Sequence, residues 1–271
     1  VKGIPRDGLG LGLRPPHVDV LSEGIDGVDF IEIVAENFAA PEGLARARLG
    51  PVASRYPVVA HGVSLNVMGV DPIDDAYLEL LAQLADTLDA PAVTDHLCWS
   101  QFGGVLHHDL LPGPAHSEVV PWVATRVRAI AARLGRPFGL ENVSSYLRYV
   151  DDDLAEWELV ARVAEAADCG LVLDVNNVYV SSLNQGFDPD DYLRAIPWDR
   201  VLYVHVAGHV VRADGLVHDT HDAAVADAVW ALYARAWRAG GPFPTVLEWD
   251  DKIPPVDVLV DELRRARGYQ R

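Results

Sequence analysis

Only two cysteines, Cys98 and Cys169, occur in the 271 residues, each within an apolar stretch. Two thiols give neither a disulfide framework nor a zinc-finger spacing, so reduced, buried cysteines are expected. Positive charge is also scarce: 22 Lys and Arg stand against 40 Asp and Glu, for a net charge of −18. Such a chain repels phosphate, which excludes nucleic acid as a partner and leaves metal ions or a cationic surface. No apolar run approaches the roughly 20 residues that cross a bilayer. The opening VKGIPRDGLG lacks the charged start and apolar stretch of a signal peptide. No membrane association and a cytoplasmic location are expected, and because Met68 is the only methionine, Val1 is not read as a translational start. Absent too are a Gly-x-Ser-x-Gly elbow, a phosphate-cradling Gly-Lys-Ser/Thr loop and a His-Glu-x-x-His helix.

What is present is a rhythm. Short β-rich apolar runs recur about every 30 residues: Leu9 to Leu13, Phe30 to Val34, Val58 to Val63, Ala92 to Leu97, Phe138 to Val143, Leu171 to Val175, Val201 to Val206 and Thr245 to Trp249. Amphipathic helical patterns separate them. Tyr77, Leu81, Leu84 and Leu88 fall on one face, as do Val123, Val127, Ile130 and Leu134. Ser117 and Asp222 are the expected helix N-caps, and Trp122, Trp157 and Trp230 are read as core. Eight βα units suit a parallel sheet, and no Gly-x-Gly-x-x-Gly turn follows the first run to favour an open dinucleotide-binding sheet. The expected fold is a single (β/α)8 TIM-type barrel over residues 1–271, a length close to the usual size of about 250 residues.

The chemistry gathers within or just after these runs. Arg14 follows the first, Glu36 and Asn37 the second, His61 lies in the third, and Asp95 and His96 in the fourth. The fifth gives Glu141 and Asn142, the sixth Asp174, Asn176 and Asn177, the seventh His205 with His209 beyond it, and the eighth Glu248 and Asp250. In a (β/α)8 barrel such positions converge on the face that carries active sites. Each residue alone reads more readily as a hydrogen-bonded structural group than as a ligand. Together, several carboxylates and imidazoles buried in one mouth without a cation would cost several kcal/mol per unpaired ion. Metal ions resolve that repulsion. Imidazole and carboxylate without thiolate suit iron, manganese or zinc, and the donors outnumber those of one catalytic zinc. More than one ion is expected, with a carboxylate such as Glu141 bridging. The segment after the seventh run carries His209, His218, Asp219 and His221. It reads either as a solvated polar loop or as a further metal contribution, since an extended Asp-Thr-His would point Asp219 and His221 the same way.

The motifs GLGLR, VAENF, AHGVSLNV, DHLCWS, LLP, GLENVSSYL, LVLDVNNVYVSSLNQGFDP, HVAGH, DTH and TVLEWDDKIPP follow one another in that order over nearly the whole chain. In this the sequence resembles the multinuclear non-heme iron-dependent oxidative enzymes, a family that includes the methanobactin biosynthesis oxidase and was long known as a domain of unknown function. The resemblance implies a (β/α)8 barrel holding two or three irons, with a mixed-valent Fe(II)/Fe(III) pair. It places His61, His96 and Glu141 around one iron. Glu141 as a bridge, Asp174, His205 and Glu248 surround the second, and Asn177, Asp219 and His221 hold the third. Strand parity favours Asn176 and the family pattern Asn177. Asp95 stands where many members have Glu. Glu141, Asp174 and His205 are the residues expected at the reacting centre. The implied activity is dioxygen-dependent oxidation of a ribosomally made precursor peptide, usually at cysteine. One iron takes the substrate thiolate and its neighbour takes O2, and a separate partner protein captures the leader. Two other readings compete: a non-redox divalent-metal barrel enzyme of the sugar-isomerase or phosphodiesterase type, and a catalytically silent peptide-binding scaffold.

Overall fold

A computed structural model describes residues 3–40 and 42–271. In chain order the strands are β1 (Leu9–Gly12), β2 (Phe30–Val34), β3 (Val58–His61), β4 (Val93–His96), β5 (Trp99–Phe102), β6 (Val105–Leu111), β7 (Phe138–Glu141), β8 (Gly170–Asp174), β9 (Val201–Val206), β10 (Val210–Val211), β11 (Val217–His218) and β12 (Thr245–Leu247). The helices are α1 (Val18–Glu23), α2 (Leu44–Ala53), α3 (Asp75–Thr87), α4 (Val119–Leu134), α5 (Glu156–Ala167), α6 (Val175–Gln185), α7 (Pro189–Ala195), α8 (Asp227–Gly240) and α9 (Val256–Tyr269). Eight parallel strands close into a barrel in the order β1-β2-β3-β4-β7-β8-β9-β12, and Leu9 pairing with Thr245 joins the last to the first. This is the TIM barrel that the eight runs predict. Among the described residues no helix is long and apolar enough to cross a membrane.

Alternation along each strand decides what enters the barrel. Phe30, Val59, Val172, Tyr203 and Val246 form a small buried cluster of their own, separate from the large core between the sheet and the helices. The inward position two residues later carries His61 after Val59, Asp174 after Val172, His205 after Tyr203 and Glu248 after Val246. An apolar floor thus lies one pleat beneath a layer of ionisable side chains.

Several local expectations are corrected. Ser117 does not cap α4, whose preceding residue is Glu118 without a side-chain cap; its hydroxyl bonds Asp153 instead. Asp222 lies well before α8 and is engaged by Thr220 and Lys252. Trp230 is buried and Trp157 packs on Phe187, yet Trp122 is exposed, beneath the Arg126 guanidinium. Two antiparallel hairpins, β5–β6 and β10–β11, stand outside the eight-fold rhythm and extend from the strand ends at the mouth.

Candidate metal centre

Three groups of donor atoms meet at the carboxyl ends of the barrel strands, the atoms of each lying within 4.8 Å of one another. His61, His96 and Glu141 form the first, Glu141, Asp174, His205 and Glu248 the second, and His221, Glu248 and Asp250 the third. Consecutive groups share a carboxylate. The two oxygens of Glu141 divide between the first two: Oε2 lies 3.1 Å from His61 Nε2 and 3.4 Å from His96 Nε2, while Oε1 lies 3.1 Å from His205 Nδ1. Glu248 Oε2 stands 3.4 Å from His205 Nδ1 and 3.2 Å from His221 Nδ1, and its Oε1 accepts from Arg14. Arg14 also pairs with Asp250, so this buried guanidinium holds both carboxylates at the rim.

The DTH segment reaches the site by close backbone packing. A Cβ on Gly208 would stand 2.0 Å from the Ala223 carbonyl oxygen, so only glycine lets the two segments touch. Across that contact the His221 N–H donates to Gly208 O. His221 has a φ of 47°, in the left-handed region. The extended triplet expected from the sequence is therefore wrong at its last residue, although Asp219 Oδ1 and His221 Nε2 do meet, at 2.7 Å. The parity argument for Asn176 also fails, because the strand ends at Asp174 and both asparagines lie in the first turn of α6. Asn176 donates to Asp219 and faces His209 Nδ1 at 2.7 Å. Asn177 lines the cavity, where its Oδ1 accepts from Ser144 and its Nδ2 donates to Asn142 O.

Strand two is where the sequence reading misplaced its residues. Asn37 is exposed and outside the site. Glu36 accepts from the Tyr77 hydroxyl and the Val63 N–H. Asp95 points out of the barrel, accepting from the Leu65 N–H, and burial followed by the nearby Glu36 charge pushes it up to about 7. The acidic residue that β2 sends inward is Glu32, which the strand-end rule overlooked. Its signal was a lone carboxylate in the middle of FIEIV. Glu32 is buried, and its oxygens lie 2.9 and 3.0 Å from His205 Nε2.

The electrostatics of the mouth suit a bound cation. Burial lowers His61, yet Glu32 and Glu141 outweigh it and bring it up to about 9. His205 and His221 rise well above the ordinary range against the same burial penalty, through Glu32 and Glu141 for the first and Asp219 and Glu248 for the second. Burial dominates at His96, which falls, and at Asp174, which is pushed up to about 8. Without a cation, protons must hold these carboxylates apart. Three buried atoms, Glu141 Oε2, Asp174 Oδ2 and His221 Nε2, have no partner in hydrogen-bonding geometry, although His221 Nε2 lies 2.7 Å from Asp219 Oδ1 and Glu141 Oε2 3.1 Å from His61 Nε2. Each such orphan costs about 1–3 kcal/mol, and here they lie beside other donor atoms without bonding them. His61 Nε2 and His96 Nε2 face each other at 3.3 Å. That is the separation expected of two nitrogens each about 2.1 Å from one shared ion. The residues present therefore fit metal ions, with N and O donors only. Cys98 and Cys169 are buried, free and outside all three groups, and burial pushes both thiols up. Above the donors opens a cavity of 480 Å³, walled by Leu106 and Leu110 of the β5–β6 hairpin on one side and by Tyr146, His218 and Thr220 on another.

Comparison with known proteins adds a second line. The model of the family described as "RiPP precursor modification enzyme MbnB/TglH/ChrH" matches residues 8–271. A UPF0276 protein of Anaeromyxobacter sp. (strain Fw109-5) is 45% identical over 259 residues, 96% of this chain and 91% of that protein. One from Caulobacter vibrioides (strain NA1000 / CB15N) is 45% identical over 265 residues, 97% and 94% of the two chains. Among solved structures, endonuclease IV from Thermus thermophilus has a TM-score of 0.60 at 17% identity, covering 97% of this chain and 98% of its own. The E. coli 3-keto-D-glucoside 4-epimerase YcjR has 0.57 at 17%, covering 96% and 98%. At such identity these structures speak to the barrel alone.

Proposed function

This chain belongs to the MbnB/TglH/ChrH family of RiPP precursor modification enzymes, and from that membership we propose that it is a multinuclear non-heme iron enzyme that uses dioxygen to oxidise a cysteine of a ribosomally made precursor peptide. The observation that carries the metal half of this reading is the set of buried, unbonded donor atoms on Glu141, Asp174 and His221. His61, His96 and Glu141 would hold one iron; Glu141, Asp174, His205 and Glu248 a second; Asn177, Asp219 and His221 a third. Iron, when bound, supplies one-electron chemistry toward dioxygen and an open position for a thiolate.

The chain's own residues bind, orient and exclude water. Glu141 and Glu248 each face two donor groups and so fix the spacing between them. Arg14 holds Glu248, and Asn176 holds Asp219. Val34, Leu106, Leu110 and Val143 line the cavity around the donors and shield them from bulk solvent, while its open mouth admits a peptide segment. No thiol of this chain lies among the donor groups, so the thiolate must come from the substrate. A separate leader-binding protein completes the proposal, with iron and O2 as cofactor and co-substrate.

The test is to load the anaerobically purified protein with iron and incubate it with the precursor peptide and partner encoded beside it, at limiting O2. The expected result is about two to three irons per chain, O2 consumption, and a cysteine-mapped loss of two or four hydrogens or of a one-carbon fragment. An unchanged peptide, with turnover of a sugar or phosphodiester, would overturn the proposal in favour of non-redox metal chemistry.

A further inference from the structure

Beneath the donor layer runs a chain of buried polar groups that the ligand assignment does not use. Glu32 pairs in register with Val59, one inward step below His61. Its carboxylate accepts from the Tyr203 hydroxyl and faces His205 Nε2. The Tyr203 hydroxyl lies 2.8 Å from Thr94 Oγ1, which in turn lies 2.8 Å from His61 Nδ1. Thr94, Tyr203 and His205 are 0% exposed, and Glu32 and His61 2%. No solvent can supply a missing partner.

Donor and acceptor accounting gives this chain one direction. A carboxylate only accepts, so the Tyr203 O–H is committed to Glu32. The Thr94–Tyr203 contact must then use the Thr94 proton, and Thr94 Oγ1 is left to accept from His61 Nδ1–H. On the other side Glu32 accepts from His205 Nε2–H. In the neutral form that ligation requires, both imidazoles therefore donate into the floor, which leaves the lone pairs of His61 Nε2 and His205 Nδ1 on the side of Glu141. We propose that Glu32 is the positioning residue that sets the ligating nitrogen of His205 directly and of His61 through Tyr203 and Thr94. It thereby prepares one donor in each of the two groups that share Glu141. The inference rests on the metal reading above and deepens it. A carboxylate behind a ligating imidazole also makes it a more electron-rich donor, which favours the higher oxidation state of an ion held by His205.

The two ends of the chain give different variants different signatures. Glu32→Gln keeps one acceptor oxygen, so it can no longer accept from both the Tyr203 hydroxyl and His205 Nε2–H, and it removes the charge behind His205. Tyr203→Phe leaves the Glu32–His205 contact and frees the Thr94 hydroxyl to donate to His61 Nδ1, which moves the His61 proton to the nitrogen that must ligate. The experiment titrates the full-length metal-free protein with Fe(II) against a chromophoric chelator, and follows the loaded iron by Mössbauer spectroscopy and redox titration. Imidazole 15N shifts of the Zn(II)-loaded protein then read the tautomers of His61 and His205. Expected for Glu32→Gln is a loss of about 10- to 100-fold in affinity at the His205 group, with a higher reduction potential there. Expected for Tyr203→Phe is a comparable loss confined to the His61–His96 group. Parent-like affinities, potentials and tautomers in both variants would overturn the inference while leaving the metal reading intact. So would equal loss of all ions together with a lowered melting temperature, the mark of a merely structural role. A parent protein that binds neither Fe(II) nor Zn(II) would overturn the metal reading itself, and this inference with it.

Discussion

Glu141→Gln separates a bridging carboxylate from an ordinary ligand. The substitution keeps the volume of a side chain that is 1% exposed, so the barrel floor stays packed. It leaves one uncharged oxygen and replaces the other by an NH2 that cannot ligate. Oε2 faces His61 and His96, and Oε1 faces His205. Each of two groups therefore loses the anionic donor that Glu141 supplies, which is the only one among His61, His96 and Glu141, and one group loses that donor outright. Structural zinc sites with four donors bind with about 10–16 kcal/mol, or roughly 3 kcal/mol per donor. By that measure the affinity of two ions falls, about tenfold on the side that keeps an oxygen and about a hundredfold on the other. The assay is iron per chain after desalting, with 57Fe Mössbauer spectra to show which signals vanish. Two ions should weaken together and any spectral signature of a coupled pair should disappear, while iron at the His221 group remains. Loss of a single ion, with its neighbour at parental affinity, would refute the reasoning that Glu141 bridges.

Four further outcomes follow from particular contacts. His221→Ala should remove only the third ion, read by the same metal count, because His221 contacts neither His61 nor His96; loss of all iron would contradict the separation of the groups. Cys98→Ser and Cys169→Ser should leave peptide turnover largely intact, at the ordinary stability cost of a core substitution of about 1–3 kcal/mol; loss of turnover in a folded variant would show that a thiol of this chain takes part. Metal uptake at pH 7.5 should release protons, and affinity should climb as pH rises toward the value near 9 of His61, since imidazole ligates only when neutral; a pH-stat and titrations at several pH values measure both. Burial pushes Glu156 up to about 7 although it accepts from Tyr192. The folded state therefore binds more protons there than the unfolded chain, and this site costs stability as pH rises from about 4.5 to about 7. Glu156→Gln should gain on the order of 2–3 kcal/mol at pH 8 and nothing below pH 4 in denaturant melts; an equal effect at both pH values would contradict it.

The barrel was legible because burial on both faces makes each parallel strand a nearly continuous apolar run, and eight such runs at one spacing leave few alternatives to closure. The β5–β6 hairpin was not, although its signal is local. Gly103 and Gly104 have φ values of 59° and 75° and sit between β-formers, as a tight two-residue turn requires. The 30-residue period hides the thirteen-residue hairpin Trp99–Leu111, which here builds a wall of the cavity. The helix caps failed for a related reason: Ser117 and Asp222 found better partners in Asp153 and Lys252 across neighbouring loops, which no local rule contains.

Within the site, the strand-end rule named His61, His96, Glu141, Asp174, His205, Glu248 and Asp250, which the structure gathers; it missed Glu32, and it placed Glu36, Asn37 and Asp95 where the structure gathers no donors. Parity explains both results. An inward position recurs every second residue, so a strand that brings a candidate donor to its end also places the residue two before it in the floor. That residue is Val59 beneath His61, Thr94 beneath His96, Val172 beneath Asp174 and Tyr203 beneath His205. Asp95, between two inward residues, had to face the helices. Asn37 lay beyond the strand in a short 3-10 turn where parity no longer holds. The polar members of the floor, Glu32, Thr94 and Tyr203, are therefore as informative as the candidate donors above them. A buried hydroxyl or carboxylate one pleat below a histidine can serve only a partner inside the barrel, and the nearest partner is the back of that imidazole.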